Sequence, residues 1–295
     1  MLNNATRLYK LDIPSLTTSE CRQHFHYPVQ LRQYLNYKRM DPSKPTLLLI
    51  SGAWHTPKSY SKFTQALRNN GYEVHVPRLP SMNGANPPNA DLTTDTDLIH
   101  GYVESLVFAG RTVVVIMHSY GGQVGTNAVL DLGLNGRKKR GLTGGVSHLV
   151  YMCASLFTEG ACILDIAKEF GTADQIANAS DILELFPRED LKALMAGPGV
   201  DDVDAENLVS TLTKWNGDAM LQPLERCAWR EIPATYIHTT KDAAVPFEFQ
   251  KVMVEKARAQ GGVFDTVELD AGHGVHLSMT TEVAKIIDRV VAREV

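Results

Sequence analysis

A serine, an aspartate and a histidine stand far apart in this chain, in an order that suits nucleophilic catalysis. Met117-His118-Ser119-Tyr120-Gly121-Gly122 sets the serine between an apolar run and a helix-forming stretch. Asp242 closes Thr239-Thr240-Lys241-Asp242, and His273 sits in Asp270-Ala271-Gly272-His273-Gly274. A serine hydroxyl is a weak nucleophile near neutral pH. It needs a base to take its proton, and the base needs an acid to orient it. A serine on a sharp strand-to-helix turn projects its Oγ over the sheet edge. The next N–H and the helix N-terminus then face any oxyanion that forms. The general pattern is G-x-S-x-G, and Met117 stands at its first glycine.

Each candidate has a rival. Ser119 could simply cap the helix that follows. His276, three residues beyond His273, could be the base, but the glycines around His273 suit a loop that reaches the serine. Asp270 could be the acid, but it is too close in sequence to His273 to approach the far nitrogen easily. His118 abuts the serine and is expected to pack rather than act. His273-x-x-His276 has metal-ligand spacing without a well-placed third ligand, and His24-x-His26 is a weaker pair of the same kind.

A second oxyanion donor is expected after the first buried strand, in Ser51-Gly52-Ala53-Trp54-His55. Ala53 N–H and Tyr120 N–H are the expected pair. Trp54 and His55 are candidate pocket residues, as is His276. Leu156, Phe157, Ile163, Leu164, Phe186, Trp215 and Met220 are candidate apolar lining, which would suit a hydrophobic acyl or alcohol group.

These residues need a frame. Thr46–Ser51, Tyr72–Val76, Thr112–Met117, Val146–Cys153, Ile232–His238 and Val263–Leu269 read as strands. Ser59–Asn70, Thr93–Ala109, Gly121–Leu132, Phe247–Gln260 and Thr280–Arg293 read as helices between or after them. Near-continuous apolar strands alternating with helices predict an α/β fold with a mostly parallel sheet covered on both faces. Ser119, Asp242 and His273 then share the rim at the carboxyl ends of the strands. Arg137-Lys138-Lys139-Arg140 reads as a solvated loop. Residues 156–228 carry no strand-like run. Helices over Ile163–Phe170, Asp190–Ala196 and Asp204–Trp215 predict a helical cap set into a core of residues 46–155 and 229–295. Residues 1–45 read as an N-terminal extension with a short hairpin around His24–Tyr37.

The 295 residues include 44% hydrophobic and 21% charged, with a net charge of −4, which excludes a disordered chain and disfavours a nucleic-acid binder. No run of about 18 apolar residues predicts a membrane span. The first residues lack the apolar stretch of a secretory signal, so the Asn4 and Asn178 glycosylation sequons are expected to be chance matches. Four cysteines without CxxC spacing are expected to be reduced thiols in a cytoplasmic protein.

From about Pro45 to the C-terminus the sequence resembles the α/β-hydrolase fold, in the branch of methyl-salicylate-type esterases and hydroxynitrile lyases. The resemblance rests on Ser51–His55, His118–Gly122, Ala228–Tyr236, Thr240–Pro246 with Phe249-Gln250, and Asp270–His273 with Leu277-Ser278. It implies Ser119 as nucleophile, His273 as base, Asp242 as acid, and Ala53 and Tyr120 as backbone donors. It also implies a helical cap, with no metal and no organic cofactor. Met117 and Gly274-Val275-His276 depart from the branch's usual residues, and residues 1–45 have no clear counterpart. The expected activity is hydrolysis of a small or medium apolar ester, lactone or thioester. A lyase, an acyl transferase or a lactone-forming cyclase would use the same residues. A degenerate ligand-binding protein would have no chemical need for them. A homodimer through the cap or the N-terminal segment is a further reading.

Overall fold

The computed structural model describes residue 41 and residues 43–176 and 182–293. The expected hairpin, the His24-x-His26 pair and both sequons lie outside the described residues.

The core alternates strand and helix. It begins with β1 (Thr46–Ile50), α1 (Ser61–Asn69), β2 (Val74–His75) and α2 (Leu92–Phe108). There follow β3 (Thr112–His118), α3 (Gly121–Ala128), α4 (Leu134–Lys139) and β4 (Gly145–Met152). Between β4 and β5 lie α5 (Ile163–Glu169), α6 (Ala173–Ile176), α7 (Ile182–Leu185), α8 (Arg188–Met195) and α9 (Asp202–Thr211). The core resumes with β5 (Ala234–Thr239), α10 (Phe247–Ala259), β6 (Phe264–Leu269), α11 (Val275–Ser278) and α12 (Thr280–Ala292).

All six strands are parallel, in the order β2-β1-β3-β4-β5-β6. Alternation along the strands splits the core in two. Leu48, Ile50, Val113, Val115, Met117, Leu149 and Tyr151 face the layer of α2, α3 and α10. Leu47, Leu49, Val114, Ile116, Val150 and Met152 face α1 and α12. Residues Val113 to Met117 are all fully buried, and each large aliphatic side chain so buried contributes about 1.5–3 kcal/mol. Two helical layers over one parallel sheet agree with the α/β fold that the sequence predicts. Among the described residues no helix is long and apolar enough to cross a membrane.

Four elements differ from the sequence expectation. The helix expected over Gly121–Leu132 ends at Ala128 and gives way to a 3-10 turn at Leu130–Leu132. The basic run is largely helical, in α4. Arg137 turns inward, donates to the carbonyls of Gly144 (2.9 Å) and Thr143 (3.1 Å), and lies 5.0 Å from the Phe108 ring, so one charge of the run is spent on backbone acceptors. β2 shrinks to two residues. The helix expected to reach Trp215 stops at Thr211, because Leu212 is extended and Thr213 N–H donates to the Trp54 carbonyl (2.8 Å) instead.

Candidate active site

β3 ends at His118, and Ser119 takes φ 52° before α3 starts at Gly121. A non-glycine residue in this left-handed region costs about 1–2 kcal/mol. Such strain persists only where the surroundings over-determine it. Ser119 N–H donates to the Met152 carbonyl (3.3 Å), and the Ser119 carbonyl accepts from Ser155 N–H (2.9 Å) and Gly122 N–H (3.0 Å). Gly122 allows this approach, since a Cβ there would lie 2.3 Å from the Ser155 carbonyl oxygen. Met117 is fully buried, and its room lies beneath α3. A Cβ on Gly125 would come within 2.5 Å of Met117 Sδ. A bare position one helical turn further on thus accommodates the side chain that replaces the usual glycine.

Asp242 follows β5 and His273 follows β6, both at the carboxyl edge of the sheet where β3 leads into Ser119. His273 Nδ1 lies 2.9 Å from Asp242 Oδ2, with both side chains buried. Asp242 Oδ2 also accepts from Thr239 Oγ1 (2.9 Å), and Oδ1 from the N–H groups of Ala244 (2.9 Å) and Val245 (2.8 Å). A carboxylate with this many donors is held in a fixed orientation. Asp270 instead points to solvent and pairs with Lys241 at 2.8 Å. His276 packs on the Tyr60 ring, centroids 4.7 Å apart, with no carboxylate partner among the described residues. Among the described residues no hydrogen bond joins Ser119 Oγ to His273.

Two peptide planes are pinned from their carbonyl sides. The Gly52 carbonyl accepts from His55 N–H (3.2 Å), so Ala53 N–H, on the same trans peptide, points the opposite way. The Ser119 carbonyl is held as described, which directs Tyr120 N–H away from Ser155 and Gly122. Among the described residues neither N–H donates to a protein acceptor. His55 Nδ1 donates to the Ala53 carbonyl (2.7 Å) and fixes the next peptide too.

A hydrogen-bond relay behind the site was not read from the sequence. His118 Nε2 lies 3.0 Å from the His273 carbonyl, which can only accept, so Nε2 carries the proton. Burial, with the neighbouring histidines, pushes His118 well below the ordinary histidine range and leaves the ring neutral. Its bare Nδ1 therefore accepts from the Tyr60 hydroxyl (2.8 Å), whose oxygen accepts Gly52 N–H (2.9 Å). Three bonds tie the Gly52 loop, the end of β3 and the His273 loop together. Burial likewise pushes His55 down to about 4 and His276 well below its usual value.

The remaining candidates divide. Trp54, at φ 62°, meets Trp215 edge-on at 5.0 Å, and Trp215 lies 4.9 Å from Tyr120. Phe157 helps line a cavity of about 130 Å³ with Ser155, Ile163, Val245, Phe249 and Met253, beside the Asp242 loop. Leu156 does not reach it and borders a smaller cavity near Cys162 and Lys256. Phe186 is 44% exposed and lines neither of these two cavities. His118, Cys153 and His273 bring possible metal-ligand atoms within 4.8 Å of one another. Both His118 nitrogens and His273 Nδ1 already carry hydrogen bonds, so this set does not suit a metal ion.

Residues 47–286 match the profile of the alpha/beta hydrolase family. The chain belongs to that family. Among curated relatives, the probable hydrolase R7 of Phoma sp. (strain ATCC 20986 / MF5453) is 30% identical over 250 residues, 83% of this chain and 97% of the relative. Alpha/beta hydrolase nvfD of Aspergillus novofumigatus (strain IBT 16806) is 29% identical over 252 residues, 83% and 95% of the two chains. Among solved structures, an extracellular alpha/beta-hydrolase from a Paenibacillus species superposes with a TM-score of 0.62 at 17% identity, covering 84% of this hydrolase-family chain and 99% of its own. Polyneuridine aldehyde esterase gives 0.62 at 18% identity, with coverage of 84% and 99%. At these identities the two structures speak for the fold.

Proposed function

We propose that this family member is a serine hydrolase acting on small or medium apolar esters, lactones or thioesters. The observation that carries the reading is the buried Asp242–His273 bond on the same sheet edge as a serine held at φ 52°. Ser119 Oγ attacks the carbonyl carbon while His273 Nε2 takes its proton. Asp242 holds Nδ1 protonated and stabilises the imidazolium. Ala53 N–H and Tyr120 N–H bind the oxyanion; one such donor is typically worth about 10²–10³ in rate. The carbon–oxygen or carbon–sulfur bond then breaks as His273 returns the proton to the leaving group. Water attacks the acyl-serine with His273 as base, the acid departs, and Ser119 regains its proton. The apolar cavity beside the Asp242 loop suits the hydrophobic part of the substrate.

Steady-state hydrolysis of p-nitrophenyl esters of rising acyl length tests the reading. Turnover in S119A should fall by about 10³–10⁶-fold. Wild-type turnover in S119A would overturn the assignment.

A further inference from the structure

Asp95 is a buried carboxylate that the proposed mechanism leaves unused. It lies in the first turn of α2 with no exposed surface. Its three partners all donate: Ser81 N–H (2.8 Å), the Ser81 hydroxyl (2.5 Å) and the Tyr120 hydroxyl (2.9 Å). Burial pushes the carboxyl up to about 6, so the charged form costs the fold stability at neutral pH. That charge grips the residue that follows the strained serine. On its other side the Tyr120 ring rests on Trp215 of the segment between β4 and β5, and Ser81 accepts Asn216 N–H (3.0 Å) from the same segment.

We infer that Asp95 is a positioning residue: by holding the Tyr120 hydroxyl it fixes the ring, and through the ring the start of α3 and the direction of Tyr120 N–H. The inference rests on the serine-hydrolase reading. Backbone bonds restrain the strained turn at the Ser119 N–H, the Ser119 carbonyl and the Tyr120 carbonyl. The Tyr120 side chain restrains it as well, and among the described residues its hydroxyl donates to Asp95. A freed ring lets the turn relax, and the oxyanion donor drifts from the position it needs in the transition state.

The test is the rate at which diisopropyl fluorophosphate modifies the full chain, followed by intact mass in wild type, D95N, Y120F and the double variant. The saturating rate should fall roughly 10–100-fold in D95N, less than outright loss of a donor. The half-saturating concentration should stay within about twofold of wild type, a split that mere loss of folded protein does not produce. The melting temperature of D95N should not fall. Y120F keeps ring and backbone, should show the same loss, and serves if D95N does not fold. The double variant should lose no more than either single. A near-wild-type rate in folded D95N or Y120F, or additive losses, overturns the inference and leaves the hydrolase reading standing. A wild type that never reacts overturns both.

Discussion

Gly197 and Gly272 press backbone against backbone, so that a Cβ on either would lie 2.8 Å from the other's Cα. Next to this contact Gly274 N–H donates to the Ala196 carbonyl at 2.9 Å. The end of α8 is thus clasped to the loop that carries His273. Gly272→Ala forces the two segments apart and shifts the imidazole. A displacement near 1 Å can cost about 10²-fold in rate. We expect kcat on a p-nitrophenyl ester to drop roughly 10–100-fold with little change in KM. A lowered melting temperature with normal kcat would mean that the clasp only supports the fold.

The relay from Gly52 through Tyr60 and His118 to His273 gives a second expectation. Tyr60→Phe removes the donor to His118 Nδ1 and the acceptor of Gly52 N–H, leaving two buried groups unpaired. Each costs about 1–3 kcal/mol. Thermal or urea unfolding of Tyr60→Phe should show a loss of that order. An unchanged unfolding midpoint would show that the two groups find other partners.

Met117 and Gly125 should behave as a pair. Met117→Ala empties the space under α3 and should cost about 2–5 kcal/mol. Gly125→Ala alone should destabilise by overpacking, typically about 1–3 kcal/mol. The double variant should recover part of both losses, because the added methyl enters the vacated volume. Denaturant unfolding of the four proteins checks this, and strictly additive losses would contradict the packing described.

Much of the frame was readable from sequence because the strands carry their own signal. Val113–Met117 and Leu47–Ile50 are buried on both faces, so their apolar runs are unbroken. Asp242 follows such a strand, His273 follows the more polar and exposed β6, and the parallel order places both loops on one rim. The relay, the clasp and Asp95 were not readable. Tyr60 and His118 are 58 residues apart, and Tyr60 sits in a turn whose sequence resembles ordinary helix. Gly197 looks like a loop glycine until its neighbour across space is known. Arg137 was misread because charge in a basic run gives no sign that one guanidinium finds backbone carbonyls.

Acid should destabilise the fold. His55 and His238 are held near 4 by burial, and His118 and His276 well below their usual value, so the unfolded chain binds more protons below about 6.5. Their contribution is fully present above that pH and is lost as pH falls toward 4. For His55 alone this is on the order of 3 kcal/mol. Asp95 opposes them, since its raised carboxyl favours the folded state as pH falls from about 6 toward 3.8. Four groups outweigh one. The melting temperature should drop by roughly 5 °C or more between pH 7 and 4.5. A flat or rising profile would contradict the neutral histidine cluster.

The central claim is that Ser119 is an activated nucleophile. The most direct measurement is intact mass after incubation with a small fluorophosphonate, in wild type, S119A and H273A. The account predicts one covalent adduct in wild type and none in either variant. An unmodified wild-type chain, or an adduct that survives S119A, would contradict it.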